Sequence, residues 1–379
     1  MSNESLRILM VLDSIEVGGT ETHVFSLAKE MLRKGIHVVI AGNKGRMIDK
    51  FHELGCPVYE VDFPYTLNIE EEKRNDLISQ VEQIIEKETI SLVHAHQTPS
   101  AYLTFSVAKE RRLPTIFTVH GTYYPKSELL QVVELASATI CVSPPVYEYV
   151  QEETSVEPIL IANGIDTEEY SERGVTELKA QLNIPKEAFV LLYSSRINWT
   201  KANICMMLLR ACKDVKLSKA PHLHVVVVGD GPRFKDLQSL TDLIHRTCKD
   251  SFIHLVGEKQ DMQHYYPIAD CVVGTGRVAL EAMACTKPVL AVGNHGYFGL
   301  VDKNEYDNAW NYYFGDHNSR HACSRFTLAR DLSTIIASSQ QLKNIGLQSR
   351  EWILNKFDVT KVTEELIELY LDKLKDETT

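Results

Sequence analysis

The chain has 379 residues, too many for one ordinary hydrophobic core and about right for two domains. Its composition, 44% hydrophobic and 24% charged, is that of a globular protein, and no apolar run approaches the roughly 18 residues of a membrane-spanning helix. The formal net charge of −11 argues against a broad nucleic-acid surface, which needs clustered Lys and Arg; it also disfavours strong attachment to an anionic membrane and leaves only a weak peripheral contact open.

Residues 1–7 are polar and lack the basic and apolar regions of a signal peptide, so the expected location is the cytoplasm. Residues 7–12 (Arg-Ile-Leu-Met-Val-Leu) predict a buried strand. Helical spacing follows over 20–34, with Val24, Leu27, Ala28, Met31 and Leu32 on one face and Gly35 closing the helix. A strand is predicted at 36–41, then helix 75–88, strand 90–94, helix 99–111, strand 114–119, helix 126–136 and strand 138–142. The mixed, polar stretch 163–187 reads as a linker. A second series has strands at 188–194, 223–228, 252–256, 270–273 and 288–292 with helices between them, and residues 359–376 form a last amphipathic helix. Continuous apolar strands alternating with amphipathic helices predict two doubly wound parallel sheets, each covered on both faces. The eight cysteines form no C-x-x-C pair and several sit in apolar runs, as expected of reduced structural thiols.

In such sheets ligands bind beyond the carboxyl ends of the strands, and the loops there carry candidate chemistry. Gly18-Gly19 lets backbone approach a ligand ahead of a helix N-terminus, or is a plain tight turn. His120 follows a strand in Thr118-Val119-His120-Gly121, where it can donate, accept or shuttle a proton. His94 and His96 form an H-x-H pair with no third metal ligand placed beside it. Arg196 and Lys201 straddle a strand-to-helix loop, as two cations for a diphosphate would. Finally, Gly274-Thr275-Gly276-Arg277 leads from a buried strand into a helix whose first N–H groups suit phosphate or sugar oxygens. Within that helix Glu281 is the only charge from Val278 to Cys285, and a buried carboxylate needs a partner, a role that ligand hydroxyls would fill.

The ordered set of these fragments resembles glycosyltransferase family 4, retaining enzymes with the GT-B fold. The resemblance covers nearly the whole chain and includes Gly18-Gly19, the His120 loop, Asn163-Gly164-Ile165-Asp166, Arg196 with Lys201, Val228-Gly229-Asp230-Gly231-Pro232, and Leu280-Glu281-Ala282-Met283-Ala284 before Lys287-Pro288-Val289. It implies two Rossmann-like domains facing a central cleft: residues 1–165, with helix 359–379 returning to them, on the acceptor side, and residues 166–358 binding the nucleotide sugar. It also implies that Arg196 and Lys201 neutralise the diphosphate, Glu281 receives the ribose hydroxyls, and Gly274, Thr275, Gly276 and Arg277 lie against phosphates and sugar. Gly18, Gly19 and His120 would reach the transferred sugar and the acceptor. The donor would be a UDP-sugar, with no separate cofactor and no metal, and the acceptor a sugar or lipid-linked molecule in surface-polysaccharide or glycoconjugate synthesis. The sequence departs from the family at the first of two glutamates spaced over this helix, which falls on Val273, and at Thr275 and residues 293–299. Thr275, Arg277 or His295 is then expected to take the sugar contact, and a non-catalytic nucleotide-sugar-binding protein or an epimerase or hydrolase on the same fold are the competing readings. On this view Glu281→Gln weakens nucleotide binding and leaves fold stability nearly unchanged.

Overall fold

Strand and helix alternate from the first described residue, because each apolar run must be covered on both sides before it can leave water. The computed structural model describes residues 6–172, 176–293, 296–317 and 321–376. The chain divides into two units, Met1–Gly164 with Asp358–Thr379, and Ile165–Phe357.

The first unit runs β1 (Arg7–Ser14), α1 (Gly19–Arg33), β2 (His37–Asn43), α2 (Ile48–Leu54), β3 (Val58–Glu60), α3 (Glu71–Lys87), β4 (Leu92–Ala95), α4 (Thr98–Glu110), β5 (Thr115–Val119), α5 (Lys126–Leu135), β6 (Ala138–Cys141), α6 (Pro144–Glu153) and β7 (Ile159–Leu160). Its sheet has the order β3-β2-β1-β4-β5-β6-β7 and is parallel throughout. Successive side chains on β1 point to opposite faces. Leu9 and Val11 enter a core with α3, α4 and α5, while Ile8 and Met10 enter another with α1.

The second unit comprises α7 (Thr176–Gln181), β8 (Phe189–Ser194), α8 (Trp199–Ser218), β9 (Leu223–Val228), α9 (Phe234–Cys248), β10 (Ile253–Gly257), α10 (Met262–Tyr265), β11 (Cys271–Gly274), α11 (Gly276–Ala284), β12 (Val289–Gly293), β13 (Gly296–Val301), α12 (Tyr306–Asn311), α13 (Arg325–Ala337) and α14 (Ser339–Lys356). The sheet order is β10-β9-β8-β11-β12-β13, parallel except for β13, which pairs antiparallel with β12. Leu191, Val225, Val273 and their neighbours pack against α8, α9 and α13. The chain then supplies α15 (Val359–Asp376) to the first unit, burying Val362, Leu366, Ile367 and Tyr370 in the core that holds Ile8 and Met10.

Residues read as linker are anchored in the second unit at their start. Arg350 on α14 donates to the carbonyls of Thr167, Tyr170 and Ala284, and Asp166 accepts from the N–H groups of Glu168 and Glu169. All eight cysteines are free thiols, and six of them are buried. No helix among the described residues is long and apolar enough to cross a membrane.

Candidate functional site

In each sheet the strand order reverses at one place, between β1 and β4 and between β8 and β11, and the loops after those strands frame a crevice suited to ligands. At the second unit's switch point Asn198 caps α8: its side chain accepts from the Lys201 N–H at 3.1 Å, and the Tyr193 hydroxyl donates to the Lys201 carbonyl at 3.1 Å. The preceding loop is braced by the next one. A Cβ on Gly229, whose φ is +136°, would fall 1.9 Å from the Ser195 carbonyl oxygen, so only glycine permits this approach. Arg196 therefore stands out from a fixed loop; its side chain is exposed and makes no hydrogen bond or ion pair with a described residue.

Lys201 reaches across to β11. Its ammonium lies 2.6 Å from Asp316 Oδ1 and 3.2 Å from Thr275 Oγ1, and the Thr275 hydroxyl donates to the same Asp316 oxygen at 3.3 Å. Thr275 is the N-cap residue of α11 but makes no side-chain cap, so the first N–H groups of that helix keep their capacity for an anion. Thus Lys201, Thr275 and the Gly276 end of α11 come together, joined by Asp316, which the sequence did not single out.

Glu281 has protein partners. The carboxylate is buried, Oε1 accepts from Arg277 Nε at 2.7 Å and Oε2 accepts from the Tyr266 hydroxyl at 2.9 Å. Arg277 stands one helical turn before Glu281 with its side chain 12% exposed, and its Nε is taken up by the carboxylate. Burial, reinforced by the Glu281 charge, pushes the Tyr266 phenol far above its ordinary pKa, so it remains a donor. Val273 is fully buried in the core beneath α8, pairing with Tyr193 and Leu290, which accounts for an apolar residue there. His295 and Asn294 lie outside the described residues.

In the first unit Gly18 is the N-cap residue of α1 and Gly19 its first residue. The Asp13 carboxylate accepts from the Ser100 N–H at 3.1 Å, Gln97 accepts from the Asp13 N–H at 2.6 Å, and burial raises the Asp13 pKa. Three histidines share this switch point. His96 Nδ1 lies 3.0 Å from His120 Nε2, and the His23 ring meets His120 edge-on at 5.5 Å. His94 turns away, bonded to the Tyr370 hydroxyl at 2.6 Å and Thr118 Oγ1 at 2.7 Å. Burial pushes His94 down to about 3 and His96 well below its ordinary value, with neighbouring histidines adding to both shifts, so both are neutral at physiological pH. His94 and His96 thus have protein partners of their own, and no cluster of three or more metal-ligating side chains occurs among the described residues.

Comparison with known proteins decides what this arrangement belongs to. Two family models match in tandem, Glycosyltransferase Family 4 over residues 17–169 and Glycosyl transferases group 1 over residues 174–325. The chain belongs to glycosyltransferase family 4. It is similar to N-acetyl-alpha-D-glucosaminyl L-malate synthase of Bacillus anthracis, 22% identical over 95% of this chain and 96% of that protein. It also resembles the lipopolysaccharide 1,2-N-acetylglucosaminetransferase of Salmonella typhimurium, at 27% identity over 52% of this chain and 57% of that one. Among solved structures, a glycosyltransferase from Rickettsia africae ESF-5 superposes with a TM-score of 0.77, at 18% identity over 98% of this chain and 99% of that one. Anabaena Alr3699/HepE, solved in complex with UDP and glucose, superposes with a TM-score of 0.73, at 19% identity over 96% and 99% of the two chains. Such identities carry the fold, which is GT-B, built from two Rossmann-like units. Family membership makes the chain a glycosyltransferase.

Proposed function

We propose that this glycosyltransferase moves a hexose-type sugar from a UDP-sugar to an acceptor hydroxyl with retention at the anomeric carbon, in the synthesis of a surface polysaccharide or glycoconjugate. The observation that carries the donor half is the convergence of Lys201, Thr275 and the uncapped start of α11 beyond β8 and β11, with an exposed Arg196 on the loop between β8 and α8. An ammonium, a guanidinium and helix N–H groups are the groups a diphosphate requires. UDP in the HepE complexes and the N-acetylglucosaminyl transfers named for the relatives support the nucleotide and the sugar class.

On this reading the acceptor oxygen forms a bond to the anomeric carbon while the bond from that carbon to the diphosphate breaks, and the acceptor proton passes to the departing phosphate oxygen. Lys201 and Arg196 stabilise the charge that gathers on the diphosphate, so the chemistry needs neither a protein nucleophile nor a metal. Glu281 would receive ribose hydroxyls on the lone pairs left over by Arg277 and Tyr266, since each carboxylate oxygen can accept twice. Gly18, Gly19 and His120 serve the transferred sugar and the acceptor, a sugar or lipid-linked molecule; a weak peripheral membrane contact and a cytoplasmic location are part of the same proposal.

Calorimetry against a panel of nucleoside-diphosphate sugars tests it. UDP and at least one UDP-sugar should bind, and Arg196→Ala should weaken both by about ten- to a hundredfold, one charge-assisted contact of roughly 1.5–3 kcal/mol. A chain that binds no nucleotide of the panel, or an Arg196→Ala variant that binds as the parent does, would remove the reading.

A further inference from the structure

Val273 offers no polar atom to the loop that follows β11, yet a carboxylate stands at that end of the sheet. Asp316 arrives there from a distant part of the chain. One oxygen, Oδ1, is held by Lys201 and Thr275, the side chain is 31% exposed, and Oδ2 makes no hydrogen bond with a described residue.

The backbone that delivers Asp316 is unusual. Tyr313, Phe314 and Gly315 take φ values of +48°, +59° and +91°, three consecutive left-handed residues of which two carry side chains that disfavour this region. The segment is also wedged against the end of β12, where a Cβ on Gly293 would lie 1.8 Å from the Gly315 carbonyl oxygen. Strain of this kind persists only where surrounding structure enforces it, and it gathers at ligand sites. A loop that merely joined α12 to α13 would have no need of it.

The charges give the chemistry. Lys201 has three N–H donors; Asp316 and Thr275 occupy two, leaving one for a phosphate oxygen. A carboxylate so near a diphosphate repels it and so opposes binding of the nucleotide alone. That arrangement is favourable only for a ligand that also brings hydroxyl donors to the carboxylate. We propose that Asp316 binds hydroxyls of the transferred sugar, supplying from another segment the carboxylate that position 273 lacks. The proposal rests on the donor-site reading given above.

Asp316→Asn keeps the shape and removes the charge, so it separates nucleotide from sugar. Kd values for UDP, UDP-glucose and UDP-N-acetylglucosamine are measured by calorimetry on parent and variant, with thermal melting as the check on folding. The expected result has opposite signs: UDP binds as well as or better than to the parent, whereas the preferred UDP-sugar loses about tenfold or more relative to UDP. Asp316→Ser, which leaves no amide to replace the carboxylate, should give the same shift in ratio and serves if the first variant does not fold. Loss of UDP and UDP-sugar by one common factor would show that Asp316 only positions Lys201 and would overturn the proposal, as would unchanged affinities for all three ligands. A parent protein that binds none of them would bring down the donor-site reading, and the proposal with it, which is a different outcome from a normal parent and an indifferent variant.

Discussion

Glu281 sits between a phenol and a guanidinium, and this changes what its replacement does. The sequence made its need for a partner plain, since no other charge shares that apolar stretch of helix. The nearer partner is also readable in hindsight: Arg277 stands four residues earlier, on the same helical face. Tyr266 was not legible, because it comes from the short 3-10 turn before β11 and nothing in its spacing marks it. With both partners in place, Glu281→Gln should no longer be mild. It removes the negative charge that faces the Arg277 guanidinium in a largely dry setting and leaves only a neutral amide to accept from it, a loss of about 1–3 kcal/mol. Denaturant unfolding of parent and variant measures this directly, and a midpoint shift worth less than about 1 kcal/mol would mean that the pair is not fixed as described. Stability must therefore be known before any weakened nucleotide binding in this variant is assigned to a lost ribose contact.

At the level of elements, His94 shows how a strand can be tied on both sides: β4 presents it to Thr118 on β5 and to Tyr370 on α15. Its pKa is depressed to about 3 by burial, against an ordinary value near 6.5. The unfolded chain then binds the extra proton between those values, so this part of the stability is fully present above pH 6.5 and is lost as the pH falls through the window toward 3. From pH 7 to pH 5 His94 alone should cost the first unit about 2 kcal/mol. Unfolding followed against pH should show this slope, and it should flatten in His94→Gln; an equal slope in that variant would place the titrating group elsewhere. The sequence did not supply this role, since an H-x-H pair shows neither its depth nor the helix that covers it. What it did supply was the alternation of apolar strands and helices through both sheets, because two-sided burial writes itself into continuous hydrophobic runs. It missed β13, which carries two glycines, Gly296 and Gly299, and buries only alternate residues, so no continuous apolar run marks it. It missed Asp316 for a related reason: left-handed backbone at Tyr313 and Phe314 has no residue-type signature, so nothing in the sequence predicts where the loop returns.

On the scale of the molecule, the two units should respond separately to perturbations placed in one of them. Their hydrophobic cores are separate, and Leu366 of α15 packs into the core of the first unit that holds Ile8 and Met10 although it follows the whole of the second in sequence. Leu366→Ala should remove about 2–5 kcal/mol from the first unit, the cost of a buried cavity. UDP at a hundred times its Kd should add about 2.7 kcal/mol to whichever unit holds the nucleotide, which on the proposed reading is residues 165–357. Hydrogen exchange read peptide by peptide separates the two effects. The substitution should speed exchange in β1, β4 and β5 and leave β8 and β11 unchanged, while UDP should slow exchange in β8, β11 and the start of α11 with little change in β1. Protection by UDP confined to the first unit would move the nucleotide site out of the second. A uniform response of both sheets to Leu366→Ala would instead mean that the chain unfolds as one cooperative body, and stabilities measured on it could no longer be assigned to a single unit.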